Sequence, residues 1–345
     1  TERTKLYGVA SIGRMILGAI PAGLVAFAAW LPYFNQNLDK AYLAAAVFYA
    51  FFIILFTRFT FKNTTERLEH HEEAPSLKEC LHLLATNRPL LMLFLGNIFF
   101  VIIKVSEQAS FYFAYDALFN AKYNGFLDIA KAPGSFLAGI FVPIIIERLG
   151  RKADSKKFYQ VCCVMGIVLN GLFALCTYNG IMNKGAGQSV SLLTGLMVIV
   201  FSAVVTFPLE FKNLMQKEME AETVDYVEWK TGKRVEGTML SIMSFTGKLE
   251  GTLSSFICLQ VLARTGYVEH TTDVSTLQNH STLLGLFLMT TVFPMVGYAL
   301  MLIPMHFYNI TGDSHRRMIK DIMARRAQAG EAAAQEAVAA EAKEG

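Results

Sequence analysis

The amino-acid sequence predicts an all-α membrane protein built as a bundle of transmembrane helices, and three observations carry that reading. Of 345 residues, 53% are hydrophobic and only 17% charged, whereas a soluble domain carries about 25% charged residues. Apolar runs of the ~18 or more residues needed to cross hydrocarbon as helix recur along the chain. The basic residues also concentrate in every second connection between those runs. A transmembrane β-barrel would need short alternating segments instead, and the runs here are continuous. The net charge of +3 is too small to imply nucleic acid as a partner.

Eight spans follow in order, at about 7–30, 41–61, 89–115, 125–147, 158–182, 189–211, 236–262 and 282–308. One set of connections holds Arg3, Lys5, Lys62, Arg67, Lys78, Arg88, Arg148, Arg151, Lys152, Lys156, Lys157, Lys212, Lys217, Lys230, Lys233, Arg234 and the residues from Arg316 onward. The opposite set holds only Lys40, Lys122, Lys184 and Arg264. By the positive-inside rule the first set is cytoplasmic, with both termini of this chain. The connection between the second and third spans contains 75-PSLKECLHLLATN-87, which reads as an amphipathic helix on the membrane surface or against the bundle. Ser76 and Glu79 have capping-box spacing, and Leu77, Leu81 and Leu84 share a face. The Ala- and Glu-rich tail 327–345 is polar, and reads as solvated helix or disorder.

Cys80, Cys162, Cys163, Cys176 and Cys258 show no metal-ligand spacing, and all but Cys80 sit in apolar runs as small buried hydrophobes. The loop 62–88 leaves two spans before it and six after. Transporters of the major facilitator type consist of two six-helix halves joined by such a loop, and 147-ERLGRK-152 resembles a basic turn common among them. On this reading four spans precede residue 1. Residues 1–61 are then the last two helices of an N-terminal bundle, and 62–88 is the central loop. Residues 89–309 form a C-terminal six-helix bundle, and 310–345 a cytoplasmic tail.

The block 224-VDYVEWKTGKRVEG-237 is the most distinctive stretch. Together with 2-ERT-4, Arg14, 87-NRP-89 and 246-TGKLEG-251, it strongly resembles the glycoside–pentoside–hexuronide:cation symporter family. The resemblance extends from residue 1 to about 325. It implies a major facilitator-type fold and sugar uptake coupled to Na+, H+ or Li+, with no other cofactor. The family's cation ligands lie on its first, second and fourth helices, so none is expected here, and the fragment alone is not expected to transport. The implied partners are a sugar, glycoside or hexuronide, a coupling cation and the lipid bilayer. A monomer is the default expectation.

Ionisable residues at membrane depth are costly and often functional. Lys104 and Glu107 are three apart, as are Asp128 and Lys131, so each pair shares a helix face and its charges can neutralise one another. Local ion pairing and sugar binding in a polar cavity both fit these four residues. Lys248 is two residues from Glu250, on a different face, and small residues surround it. The resemblance matches it to a lysine near the family's cation site, which implies a coupling role. It also matches Arg14 to an arginine at the sugar site, where a planar guanidinium suits vicinal hydroxyls; snorkelling to the cytoplasmic face is the other reading. Phe111, Tyr112, Tyr115 and Phe119 fit either sugar stacking or an interfacial aromatic belt.

Glu222, Asp225 and Glu228 are spaced by three, so on a helical continuation of the sixth span they form one acidic face. Arg3, Lys156, Lys157 and Arg234 are the basic partners on that side. The resemblance implies a cytoplasmic gate in which Arg3 and Arg234 pair with these acids. A solvated loop that merely obeys topology is the plainer account. The leading function is a secondary sugar:cation symporter working by alternating access, since no GxxxxGK[ST] loop is present for ATP. The alternatives are a lipid carrier of the same fold, a membrane-embedded enzyme acting on lipid substrates, and a transport-dead sensor or truncated product.

Overall fold

The computed structural model describes residues 13, 38–63, 76–119, 122–149, 154–183, 188–232, 236–269, 277–325 and 327–328. The expected first span 7–30, Arg3, Arg14, Arg234 and most of the tail lie outside the described residues. All regular structure among the described residues is helical. In chain order the helices are α1 (Leu38–Asn63), α2 (Leu77–Thr86), α3 (Arg88–Tyr112), α4 (Lys122–Leu149), α5 (Ser155–Met182), α6 (Leu192–Thr231), α7 (Glu236–Thr265) and α8 (His280–Phe307). A further helix, α9, occupies 312–325. Six of them are long and apolar enough to cross a membrane: α1, α3, α4, α5, α6 and α8. α7 has the length, at 30 residues, but Lys248, Glu250 and many Gly, Ser and Thr residues reduce its apolarity.

Sequence-local chemistry sets the helix boundaries. Asn87, Asp154, Ser191 and Asn279 each cap a backbone N–H in the first turn of α3, α5, α6 and α8, satisfying donors that the helix itself leaves open. Pro89 follows the first of these caps, where its missing N–H costs nothing. In α2 the expected capping box is formed: Glu79 Oε2 accepts from the Ser76 N–H at 2.8 Å, and Ser76 Oγ accepts from the Glu79 N–H at 3.3 Å. Its leucines divide. Leu77 and Leu81 are exposed, whereas Leu83 and Leu84 pack on Leu90, Met239 and Ile242, so α2 lies against the N-terminal ends of α3 and α7.

The packed order runs α7–α3–α8–α5–α6–α4. Glycine lets the helices approach closely. A Cβ at Gly134 of α4 would lie 2.5 Å from the Ala203 carbonyl oxygen of α6, and one at Gly166 of α5 would lie 2.4 Å from the Tyr298 ring of α8. Two buried apolar clusters result. One, around Phe100, Tyr159, Met215, Tyr298 and Met301, fills the half nearer α9. The other, around Phe113, Phe173, Ile181, Leu286 and Met289, fills the opposite half. α1 keeps Phe51, Ile54 and Phe59 exposed.

The charged stretch after the sixth span is the helical continuation weighed above and not a solvated loop: α6 runs unbroken for 40 residues, about 60 Å at 1.5 Å per residue. That is twice the ~30 Å of hydrocarbon. The apolar stretch ends near Phe211, and the second half of α6 continues past it with Leu214, Met215, Met219, Val224 and Val227 buried against its neighbours. It stops at Gly232, whose left-handed φ of 73° lets its N–H reach the Glu228 carbonyl at 2.8 Å.

Candidate functional site

Polar side chains on five helices converge on a cavity of about 570 Å³, within the roughly 300–1,000 Å³ range of small-ligand sites. α3 contributes Ser106, Glu107 and Ser110, α4 contributes Asp128, Lys131 and Ser135, and α6 contributes Ser202, Thr206 and Glu210. Asn170 of α5 and Thr290 of α8 complete the polar lining, with Phe111, Phe113, Phe173 and Tyr298 as aromatic walls. The spacings of three and four residues put each polar set on a single face of its helix.

Five of the hydroxyl protons along this wall are committed to their own helices. Ser106 donates to the Ile103 carbonyl at 2.7 Å, Ser135 to Lys131 at 3.3 Å, Ser202 to Val198 at 2.8 Å, Thr206 to Ser202 at 2.7 Å and Thr290 to Leu286 at 3.0 Å. The Asn170 amide likewise donates to the Gly166 carbonyl at 2.8 Å. Each hydroxyl therefore turns remaining lone pairs toward the cavity. Such a wall accepts hydrogen bonds from a polyhydroxylated guest, and the rings offer apolar faces for stacking.

Three of the sequence-derived substrate residues meet here: Glu107, Asp128 and Lys131. Asp128 and Lys131 form the expected i,i+3 ion pair, at 3.1 Å. Lys104 does not pair with Glu107. Its ammonium lies 3.3 Å from Glu250 on α7. Glu250 is buried, and leaving its carboxylate there without a counter-charge costs more than leaving Glu107 facing a cavity. Lys104 is absent from the cavity wall, and Lys248 lies on the exposed surface of α7, away from Glu250. Phe111, in the cavity wall, packs its ring at a tilt against Tyr115 at a centroid distance of 4.4 Å, beside the π-helical turn Phe113–Ala117.

Two residues here escaped the sequence reading. Glu210 lines the cavity, and its signal was the fourfold spacing Ser202, Thr206, Glu210 at the end of the sixth span. Lys212, assigned by sequence to a cytoplasmic connection, is fully buried. Its Nζ lies 3.7 Å from the centre of the Phe100 ring and donates to Gln216 Oε1 at 3.2 Å, a cation–π site within the bundle.

At the far end of α6 the expected gate acids face inward. Glu222 and Asp225 are buried and Glu228 is half-buried. Ser155 Oγ donates to Glu222 at 2.7 Å, and the Tyr308 hydroxyl lies 3.5 Å from it. Burial pushes the Glu222 carboxyl up to about 7, against the opposing effect of the Ser155 hydrogen bond. Asp225 lies 3.0 Å from His315 Nε2 on α9, a histidine the sequence reading passed over. Trp229 Nε1 donates to Asp321 at 3.0 Å, and Arg325 donates to the Trp229 carbonyl at 2.8 Å. Of the expected basic partners, Lys156 donates to the carbonyls of His306 and Tyr308 at 3.1 and 2.5 Å. Lys157 lies 4.0 Å from Asp154.

Comparison with known proteins agrees with this architecture. The chain is 25% identical over 326 residues to the "Uncharacterized symporter YjmB" of Bacillus subtilis (strain 168), covering 93% of this chain and 65% of the relative. It is 24% identical over 264 residues to the "Glucuronide carrier protein homolog" of Escherichia coli (strain K12), covering 76% and 53%. It is 24% identical over 327 residues to the "Isoprimeverose transporter" of Lactiplantibacillus pentosus, covering 92% and 61%. The chain thus spans a little over half to about two thirds of these relatives' lengths. They are transporters and not enzymes, so the lipid-enzyme alternative is not favoured. The model of the MFS/sugar transport protein family matches residues 1–312, and the chain is a multi-pass membrane protein belonging to that family.

Proposed function

We propose that this chain forms the substrate-translocating part of a secondary carrier for a sugar or glycoside, working by alternating access and driven by a Na+, H+ or Li+ gradient. The observation that supports it best is the cavity walled by five helices, whose hydroxyl lone pairs, carboxylates and rings suit a sugar. Relatives named as a symporter, a glucuronide carrier homolog and an isoprimeverose transporter point the same way. On this reading residues 89–309 are the C-terminal bundle of a monomeric inner-membrane carrier whose residues 1–61 belong to the other bundle. The central loop 62–88, the tail 310–345 and both ends of the chain are cytoplasmic. Glu107, Asp128 and Lys131 contact the substrate with Arg14, and Lys104 positions Glu250 behind them. Lys248 serves coupling from the exposed face of α7. Glu222, Asp225 and Glu228, with Arg3 and Arg234, form the cytoplasmic gate.

The test is uptake of radiolabelled sugars into membrane vesicles carrying the complete carrier, with and without an imposed Na+ or proton gradient. Gradient-dependent accumulation is expected, and its absence for every sugar and cation overturns the reading. Lys248→Ala is expected to abolish accumulation while leaving equilibrium sugar binding within about threefold. An accumulation level unchanged in that variant removes Lys248 from coupling.

A further inference from the structure

Which sugars the cavity admits follows from how its charges are already committed. Its ionisable wall, among the described residues, consists of three carboxylates and one ammonium: Glu107, Asp128, Glu210 and Lys131. Asp128 holds the ammonium at 3.1 Å, so a guest anion would have to compete with a fixed intrahelical partner for it. Lys104, the next cation along α3, is taken by Glu250 at 3.3 Å. Glu107 makes no hydrogen bond or ion pair among the described residues, and it faces the cavity from α3. Much of the neutral wall has the same polarity, with the Ser110 hydroxyl and the second Asn170 amide N–H as the donors left to a guest. Five hydroxyls spend their protons on backbone carbonyls, and they present acceptors only.

A carboxylate or sulfonate is acceptor-only. In this cavity it would meet hydroxyls that mostly accept and the carboxylate of Glu107, with Lys131 already held by Asp128. A neutral sugar brings hydroxyl donors, and an amino sugar adds a cation for Glu107. We propose that this cavity selects neutral and amine-bearing sugars and rejects acidic ones, with Glu107 as the residue that sets the discrimination. The inference rests on the sugar-carrier reading above and narrows it. It also sets this chain apart from the relative whose name specifies a glucuronide.

The probes are methyl glycosides that differ only in charge: the neutral hexoside, the corresponding hexuronide and the corresponding 2-amino-2-deoxyhexoside, each in gluco and galacto form. Affinity is read by isothermal titration on the purified complete carrier. The neutral or amino glycoside is expected to bind at least about tenfold more tightly than the hexuronide of the same configuration. Glu107→Gln is expected to shrink that ratio at least about threefold by improving hexuronide binding, with the neutral glycoside little changed. A merely structural role for Glu107 would weaken all three alike. A preference for the hexuronide, or a ratio unmoved by Glu107→Gln, overturns the inference while leaving the sugar reading intact. Binding of none of the six overturns the sugar reading and the inference with it. A fold defect in Glu107→Gln is checked by its melting temperature, and the wild-type preference stands as a test without the variant.

Discussion

Lys104 and Glu250 show how one buried charge reorganises its neighbours. The pair joins α3 to α7 at 3.3 Å, and its acid is the more deeply buried partner. Removing only the ammonium leaves a carboxylate in an apolar setting, a cost of about 1–3 kcal/mol. Replacing both groups by apolar ones is often close to neutral. Lys104→Met is therefore expected to lower the melting temperature of the detergent-solubilised protein, and Lys104→Met with Glu250→Leu to recover most of the loss. A double variant as unstable as the single one would show that the pair does more than neutralise. The sequence could not reveal this partnership, because residues 104 and 250 meet only through the packing of two helices distant in the chain. It did show Asp128 and Lys131, whose partnership is local to one helix turn. It also showed that Glu107 is a membrane-depth acid, though not that the residue would be left facing the cavity.

At the scale of the helix, the same contrast separates pattern from packing. Apolar length located α1, α3, α4, α5, α6 and α8, and capping chemistry located the start of α2. The extension of α6 is legible only through the spacing of Glu222, Asp225 and Glu228 and the helix formers Leu214, Met215, Glu218, Met219 and Ala221, because hydropathy falls after Phe211. Small residues have position-specific consequences. Gly134→Ala sets a methyl group against a backbone carbonyl that cannot rotate away, and is expected to cost about 1–3 kcal/mol. Gly247→Ala meets nothing within 4 Å, and is expected to be neutral or to stabilise α7 by up to about 1 kcal/mol. Paired thermal melts decide both. For Glu222 the sign of the pH effect is fixed by the direction of its shift. The folded carboxyl titrates near 7 against 4.5 when solvated, so the folded state keeps a proton that the unfolded state has lost. That stability is complete below about pH 4.5 and declines by up to about 3 kcal/mol as pH rises toward 7. Glu222→Gln should flatten melting temperature against pH across this window, and an unchanged slope would place the titration elsewhere.

At the scale of the whole molecule, charge distribution sets orientation across the bilayer. Single cysteines at Asn63 and Thr272, in a background with Cys80, Cys162, Cys163, Cys176 and Cys258 replaced, are expected to differ toward an impermeant maleimide in intact cells. Position 272 should label and position 63 should stay silent, and the reverse pattern inverts the orientation. α6 runs as one continuous helix from the cavity to the cluster of acids at its C-terminal end. Pro208 lacks the N–H that would bond the preceding turn, so it is the natural place for that rod to bend. Asp225 lies about 17 residues farther on, an arm of about 25 Å. A tilt of only about 10° at Pro208 then displaces Asp225 by about 4 Å, more than the 3.0 Å that separates it from His315. The helix has the proportions of a lever whose short arm reaches the cavity and whose long arm ends among the acids beside α9. By the same geometry Ser202, about 9 Å to the other side of Pro208, moves about 1.6 Å when Asp225 moves about 4 Å, so a displacement in the cavity wall arrives at the His315 contact enlarged about threefold.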